Sequence, residues 1–162
     1  MTTSDAHSAL LAAVQQLTAS ALPLDDLLAR IVAEVGQACD YIDVGVLLED
    51  PANPELLLLR ASNYAGFPDA VGHFRQPKAS GLIGRALRSG QPVLVADVTQ
   101  EPDYLPLPGV PIVAELVLPV RAGGALRGVL NVESLHPITP AEAAAVTAVA
   151  ALLGTALEAH AP

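Results

Sequence analysis

Residues 115–133 restrict the fold more than any other stretch. Two apolar, β-branched runs, Glu115–Val120 and Leu126–Glu133, are separated only by Arg121-Ala122-Gly123-Gly124-Ala125. Strands this close must fold back on each other, because a parallel pair needs a crossover of about a dozen residues or more. A Gly-Gly pair also supplies the positive φ that a tight hairpin turn demands. Antiparallel pairing is therefore written into the chain.

A second hairpin is predicted from Asp43–Glu49 and Glu55–Asn63, joined by the turn residues Asp50-Pro51-Ala52-Asn53-Pro54. Helices bracket these strands. Ser4 or Asp5 is the expected cap of a first helix, with Leu10, Leu11, Val14 and Leu17 on one face. Pro23 opens a second helix, with Asp25 and Asp26 in its first turn, where the helix dipole favours acids. Its Leu24, Leu27, Leu28, Ile31, Val32 and Val35 repeat at three and four, and Cys39 extends that stripe as a packed thiol. Thr139 and Glu142 form a capping box for a last helix through Val146, Val149, Ala150, Leu153 and Leu157.

The middle is less regular. Residues 64–79 show no clean period and read as a loop or irregular helical segment, carrying Tyr64, Phe67 and Phe74. Ser80 is placed to cap a short helix with Leu82, Ile83, Ala86 and Leu87 on its apolar face, ended by Gly90 and Pro92. Val93–Val95 is a short strand. Behind it comes an acidic turn with Asp97, Glu101 and Asp103, then a stretch with Pro106, Pro108 and Pro111 that regular structure avoids. Strands joined by hairpins, with helices laid over them, make an α+β fold. The expected division is an N-terminal helix, 1–22, and a domain over 23–160.

Composition narrows the function. Apolar residues make up 52% of the chain, enough for one sizeable core. A net charge of −9, from 17 acids against 8 Lys and Arg, disfavours nucleic acid, which needs a basic stripe. Arg75, Lys78, Arg85 and Arg88 form a local positive island, read as ordinary pairing. A single cysteine excludes an internal disulfide and a multi-cysteine zinc site, and no His/Cys/Asp/Glu group has metal-ligand spacing. The start of the chain has no positive charge before its apolar part, and no uninterrupted apolar run reaches about 18 residues. The expectation is a cytoplasmic protein without nucleic-acid or membrane partners.

The order of these elements resembles the GAF domain family, small sensory domains related in shape to PAS domains. Gly81-Leu82-Ile83-Gly84, Ser89-Gly90-Gln91-Pro92, Asp97 and Glu101-Pro102-Asp103-Tyr104 are similar to that family's G-x-x-G, G-x-P, D and acidic-Pro-x-aromatic run. Glu115–Val120 and Gly128–Ser134 look like its terminal strands. The resemblance covers about residues 20–160. It implies a central antiparallel sheet, helices on one side, and a ligand pocket on the other face roofed by the middle loops.

Some GAF domains reduce free methionine sulfoxide, with one thiolate attacking sulfur and a second thiol resolving the product. The two cysteine segments resemble Gly81-Leu82-Ile83-Gly84 and Pro108-Gly109-Val110-Pro111 here, and neither contains cysteine. Glu115, Asn131 and Glu133 sit at positions similar to that branch's pocket carboxylates, one of them amidated, which leaves room for an amine-bearing ligand. The cyclic-nucleotide signature is not found, and no cysteine stands near the roof for a bilin. His73 is the one roof histidine that could meet a haem, and a lone loop histidine is ordinarily a surface residue. No cofactor is expected, and no enzyme activity.

The expected function is a stand-alone sensor that binds a small molecule and signals to a partner in trans, since no output domain fits in the remaining residues. The alternatives are an unliganded dimerisation or scaffold module and a sulfoxide reductase. Candidate pocket residues are Tyr64, Phe67, His73, Phe74, Asp97, Tyr104, Glu115, Asn131 and Glu133. Asp97, Glu115 and Glu133 are also candidates for acid–base work, although Asp97 fits a turn-capping role and the two glutamates a strand-end role. Leu10, Val14, Leu17, Val149, Leu153 and Leu157 are expected to pair across a homodimer, as end helices of this family commonly do.

Overall fold

A computed structural model describes residues 1–162. Helices α1 (Thr3–Thr18) and α2 (Leu24–Cys39) precede strands β1 (Asp43–Asp50), β2 (Asn53–Ser62) and β3 (Arg75–Pro77). Helix α3 (Gly81–Ser89), strand β4 (Val93–Val95) and a 3₁₀ turn at Val98–Gln100 follow. Strands β5 (Ala114–Ala122) and β6 (Ala125–Ser134) and helix α4 (Pro140–Ala159) complete the chain.

The six strands form one sheet in the order β3-β2-β1-β6-β5-β4, every neighbour antiparallel. The β5–β6 hairpin closes on the Ala122–Ala125 pair around Gly123 and Gly124, whose φ of 59° and 79° meet the demand of a two-residue turn. Successive strand residues alternate faces. Val44, Val46, Leu48, Leu116, Leu118, Leu130 and Val132 therefore point to one side, where they join a core with α1, α2 and α4. Leu47, Leu57, Val117 and Val129 point to the other and pack with Leu82, Ile83 and Ala86 of α3. Each large side chain buried in this way contributes about 1.5–3 kcal/mol.

Local signals largely set the element ends. Thr139 and Glu142 form the expected capping box on α4. On α1 the cap is Thr2 rather than Ser4 or Asp5. Asp5 lies one turn in and returns to the Thr2 N–H at 2.9 Å, so the box Thr2-x-x-Asp5 starts the helix earlier than its apolar stripe suggests. Ser80 holds the cap position of α3 without a side-chain bond to it. In residues 64–79, turns dominate, with one short edge strand, β3, paired to Leu56–Leu58. Three residues on an edge carry no periodicity that a sequence pattern could register.

The acidic turn is structural. Asp97 Oδ1 accepts the Thr99 N–H at 3.0 Å and caps the 3₁₀ turn. Arg85 of α3 reaches Glu101 at 3.1 Å and Asp103 at 2.8 Å. The other members of the positive island are also engaged: Arg75 with Asp50, Lys78 with Glu49, and Arg88 with the Ala79 carbonyl.

The residues expected to form a homodimer interface are placed differently by the structure. Leu10, Val14, Val149 and Leu153 are buried inside the chain's own helix layer, and Leu17 and Leu157 pack half-buried against it. The stripes of α1 and α4 pack on each other and on the sheet, which occupies Leu10, Val14, Val149 and Leu153 within the chain. Helix α1 packs its Leu10 and Val14 into the same core as α2, α4 and the sheet. By length and composition α4 could cross a membrane, yet its buried side is packed against β5 and α1.

Candidate functional site

On the α3 side, the ends of β1 and β6 are left uncovered by helix. Here the loops after β2 and before β5 rise over the sheet and enclose a cavity of about 760 Å³. Its floor is Asp43, Gly45 and Leu47 of β1, Leu59 and Ser62 of β2, and Asn131 and Glu133 of β6. One wall is residues 64–76, with Tyr64, Phe67, His73 and Phe74. The other is Leu105–Pro108, with Ile83 of α3 between them. Tyr64 and Phe67 meet edge to face at 5.6 Å, and Phe67 and Phe74 stand half-exposed at the rim. A volume of this size, mostly apolar with a few convergent polar groups, matches small-molecule sites.

The polar groups share one origin. Register places Asp43 opposite Glu133, and Glu133 opposite Glu115, so three carboxyls form a row across β1, β6 and β5 on the cavity face. Asn131 follows one pleat along, opposite Gly45 and Val117. Burial pushes Glu115 up to about 8, with the Asn131 amide partly offsetting it and the Asp43 charge adding to the rise. Burial also pushes Glu133 up to about 8, and the charges of Glu115 and Asp43 push the same way. Asp43 is raised by burial too, against a 3.2 Å hydrogen bond from the Ser62 hydroxyl. Glu133 Oε2 and Asn131 Oδ1 are buried without any partner.

Of the residues singled out in the sequence, Tyr64, Phe67, His73, Phe74, Asn131 and Glu133 come together around this cavity. Three do not line it. Asp97 is exposed at its turn, because capping the 3₁₀ segment turns it to solvent. Glu115 stands behind Glu133, one strand further from the opening. Tyr104 packs half-buried against the α3-side cluster, where burial and the nearby Glu133, Glu115 and Asp43 push its phenol up to about 12. Asp43 is the floor residue that motif reading passes over. It occupies the odd phase of a strand whose even positions, Val44, Val46 and Leu48, are apolar, and that alternation is the signal for it.

The chain's one thiol is remote from the cavity. Cys39 lies buried in the helix layer on the opposite side of the sheet, and burial pushes its thiol up. No group of three or more His, Cys, Asp or Glu side chains is arranged to hold a metal ion.

The family model of the GAF domain matches residues 21–158. The chain belongs to the GAF domain family. Solved GAF structures superpose over nearly the whole length. A GAF domain from a Coxiella burnetii phosphoenolpyruvate-protein phosphotransferase has a TM-score of 0.84 at 22% identity, covering 93% of this chain and 92% of that one. The corresponding Acinetobacter domain has a TM-score of 0.83 at 24% identity, with 94% and 95% covered. Free methionine-R-sulfoxide reductase from Neisseria meningitidis, solved with its substrate, has a TM-score of 0.82 at 24% identity, with 94% and 89% covered. At these identities the likeness is one of fold. No curated protein matches by sequence. Helix α1 lies before the matched GAF region, yet shares its core.

Proposed function

We propose that this GAF domain is a cytoplasmic sensory module that binds a small molecule in the cavity over β1 and β6 and signals its occupancy to a partner protein in trans. The observation that carries the reading is the pair of buried, unpartnered polar atoms, Glu133 Oε2 and Asn131 Oδ1, at the floor of an apolar cavity. An unmet buried polar atom costs about 1–3 kcal/mol, which a bound hydrogen-bonding partner recovers. A structural module without a ligand gains nothing by keeping it. Reductase chemistry is set aside in this reading because a thiolate must reach the sulfoxide, and Cys39 is on the wrong side of the sheet.

The test is a thermal-shift panel of amino acids, amines, nucleotides and nitrogen oxyanions, with native mass spectrometry of freshly purified protein. A ligand at about 100 times its dissociation constant adds about 2.7 kcal/mol to stability. A flat panel and a bare mass overturn the proposal. Homodimerisation, if it accompanies sensing, uses surface other than the buried stripes, and light scattering at micromolar concentration measures it.

A further inference from the structure

Two histidines hold both of their ring nitrogens against backbone carbonyl oxygens. His136, between β6 and α4, has Nδ1 at 2.9 Å from the Pro137 oxygen and Nε2 at 3.2 Å from the oxygens of both Cys39 and Asp40. His160, at the end of α4, has Nδ1 at 2.8 Å from the Ala156 oxygen and Nε2 at 3.0 Å from that of Leu22. A carbonyl oxygen can only accept, and a neutral imidazole has a single N–H. All of these bonds coexist only in the imidazolium form. The surroundings favour that charge. His136 lies at the C-terminal end of α2 and His160 caps that of α4, the negative poles of two helices whose last turns hold no basic residue.

The contacts fall at both ends of α2. Leu22 precedes its N-cap, Pro23, and Asp40 is its C-cap, held in the left-handed conformation at φ 55°. In each histidine Nδ1 makes the shorter bond, and that bond is local. Nε2 makes the longer one and reaches across 96 or more residues of chain to another element. A ring that loses a proton keeps the short local bond and turns a lone pair on the distant carbonyl. Facing His136 are the Tyr41 ring, stacked at 5.9 Å, and Glu142 of α4, whose charge favours the imidazolium; Cys39 and Asp40 meet the ring through their main chain. Around His160 the last two turns of α1 carry no charge. Asp25 of α2 is paired with Arg60, Glu158 is bonded to the Gly123 N–H, and Asp26 is the remaining acid of the first turn of α2.

We infer that His136 and His160 form a pH-operated clamp: as imidazolium ions they tie the two ends of α2 to the segments that begin and end α4, and loss of a proton from either ring releases one end. The carbonyl bonds raise both histidines above the ordinary 6.5, led by Pro137 for His136 and by Ala156 for His160. The clamp is therefore fully closed below that value and opens as pH rises through the folded values. Its His136 arm joins the chain entering β1, just before Asp43, to the chain leaving β6, just after Glu133, so it braces two floor strands of the cavity from outside. The device does not depend on what the cavity binds.

Nitrogen-15 NMR of the histidine rings in the full chain tests this between about pH 5 and about pH 8.5, alongside amide hydrogen exchange corrected for its intrinsic rate. Both rings are expected to be doubly protonated at the acid end and to titrate above the same rings in the urea-unfolded chain. Protection at residues 24–29 and 36–41 should fall through these titrations relative to α3, by about tenfold for each pH unit by which the histidine concerned is raised. His136→Gln, confirmed folded by cooperative melting, should remove the pH dependence at 36–41 alone, and His160→Gln that at 24–29 alone. A ring found as a neutral tautomer at about pH 5 overturns the clamp, as does protection at the ends of α2 that ignores the titration. PH dependence lost at both ends in each single variant would mark a change in global stability and overturn it as well. The wild-type spectra and exchange decide by themselves if a variant does not fold.

Discussion

Glu115 and Glu133 are direct cross-strand partners on β5 and β6, both on the cavity face and both more than nine-tenths buried. Burial raises both carboxyls, and each acid of the row, with Asp43 beside them, makes ionisation of the others harder.

The first prediction concerns stability and pH. Each glutamate has an ordinary value of 4.5 and a folded value of about 8. Between these values the native state binds more protons than the unfolded chain, so their contribution is fully present below the lower value. It is lost as pH rises through the upper one. His136 and His160, held up by hydrogen bonds to backbone carbonyls, decline in the same direction. Glu133→Gln isolates the glutamate share: its loss between about pH 5 and about pH 8 should be smaller than the wild type's by on the order of 2 kcal/mol. Urea unfolding at the two pH values measures this, and equal losses would refute the buried-acid assignment.

The second concerns the helix layer. Leu153 is fully buried inside the chain, so Leu153→Ala should cost about 3 kcal/mol by leaving a cavity. The cost should be the same at low and high protein concentration, because the contact is internal. A loss that shrinks with concentration would instead place Leu153 at a subunit interface.

The third concerns the approach of α4 to the sheet. A Cβ at Gly154 would run into the Arg121 carbonyl of β5. On an exposed helix Gly→Ala gains about 1 kcal/mol from propensity. Here Gly154→Ala should destabilise, since helix and strand backbones must separate. Thermal melting decides the sign.

The fourth concerns the Leu105–Pro108 wall. It is tied down just upstream, where Arg85 grips Glu101 and Asp103 and Leu105 lies over Gly81. Arg85→Ala should speed amide hydrogen exchange across residues 101–107 while leaving β5 and β6 protected. Unchanged exchange there would show that the prolines alone hold the wall.

Much of the fold was legible because it is encoded locally. The Gly123-Gly124 turn, the Thr139–Glu142 box and the period of α2 each act over a few residues, and each appears in the structure as read. The site was legible in part. Glu133, Asn131 and the rings of the roof could be named from motif and composition. Asp43 could not, since an acid at a strand start is commonplace until register sets it against Glu133. Asp97 carried two readings: its bond to the Thr99 N–H bears out the turn-capping one, and that bond turns it away from the pocket.

The apolar stripes mark the same boundary. Periodicity established that Leu10, Val14, Val149 and Leu153 must be covered, but a stripe carries no label for its partner. Tertiary packing decided that α1 and α4 cover each other within one chain. The sequence by itself determined the four helices, the longer strands and the two antiparallel hairpins, because turns, caps and alternation are short-range physics. Only the tertiary structure decided which residues share the cavity. Cross-strand register joins positions 43, 115 and 133 through hydrogen bonds between distant segments, and no local preference in any one strand specifies that alignment.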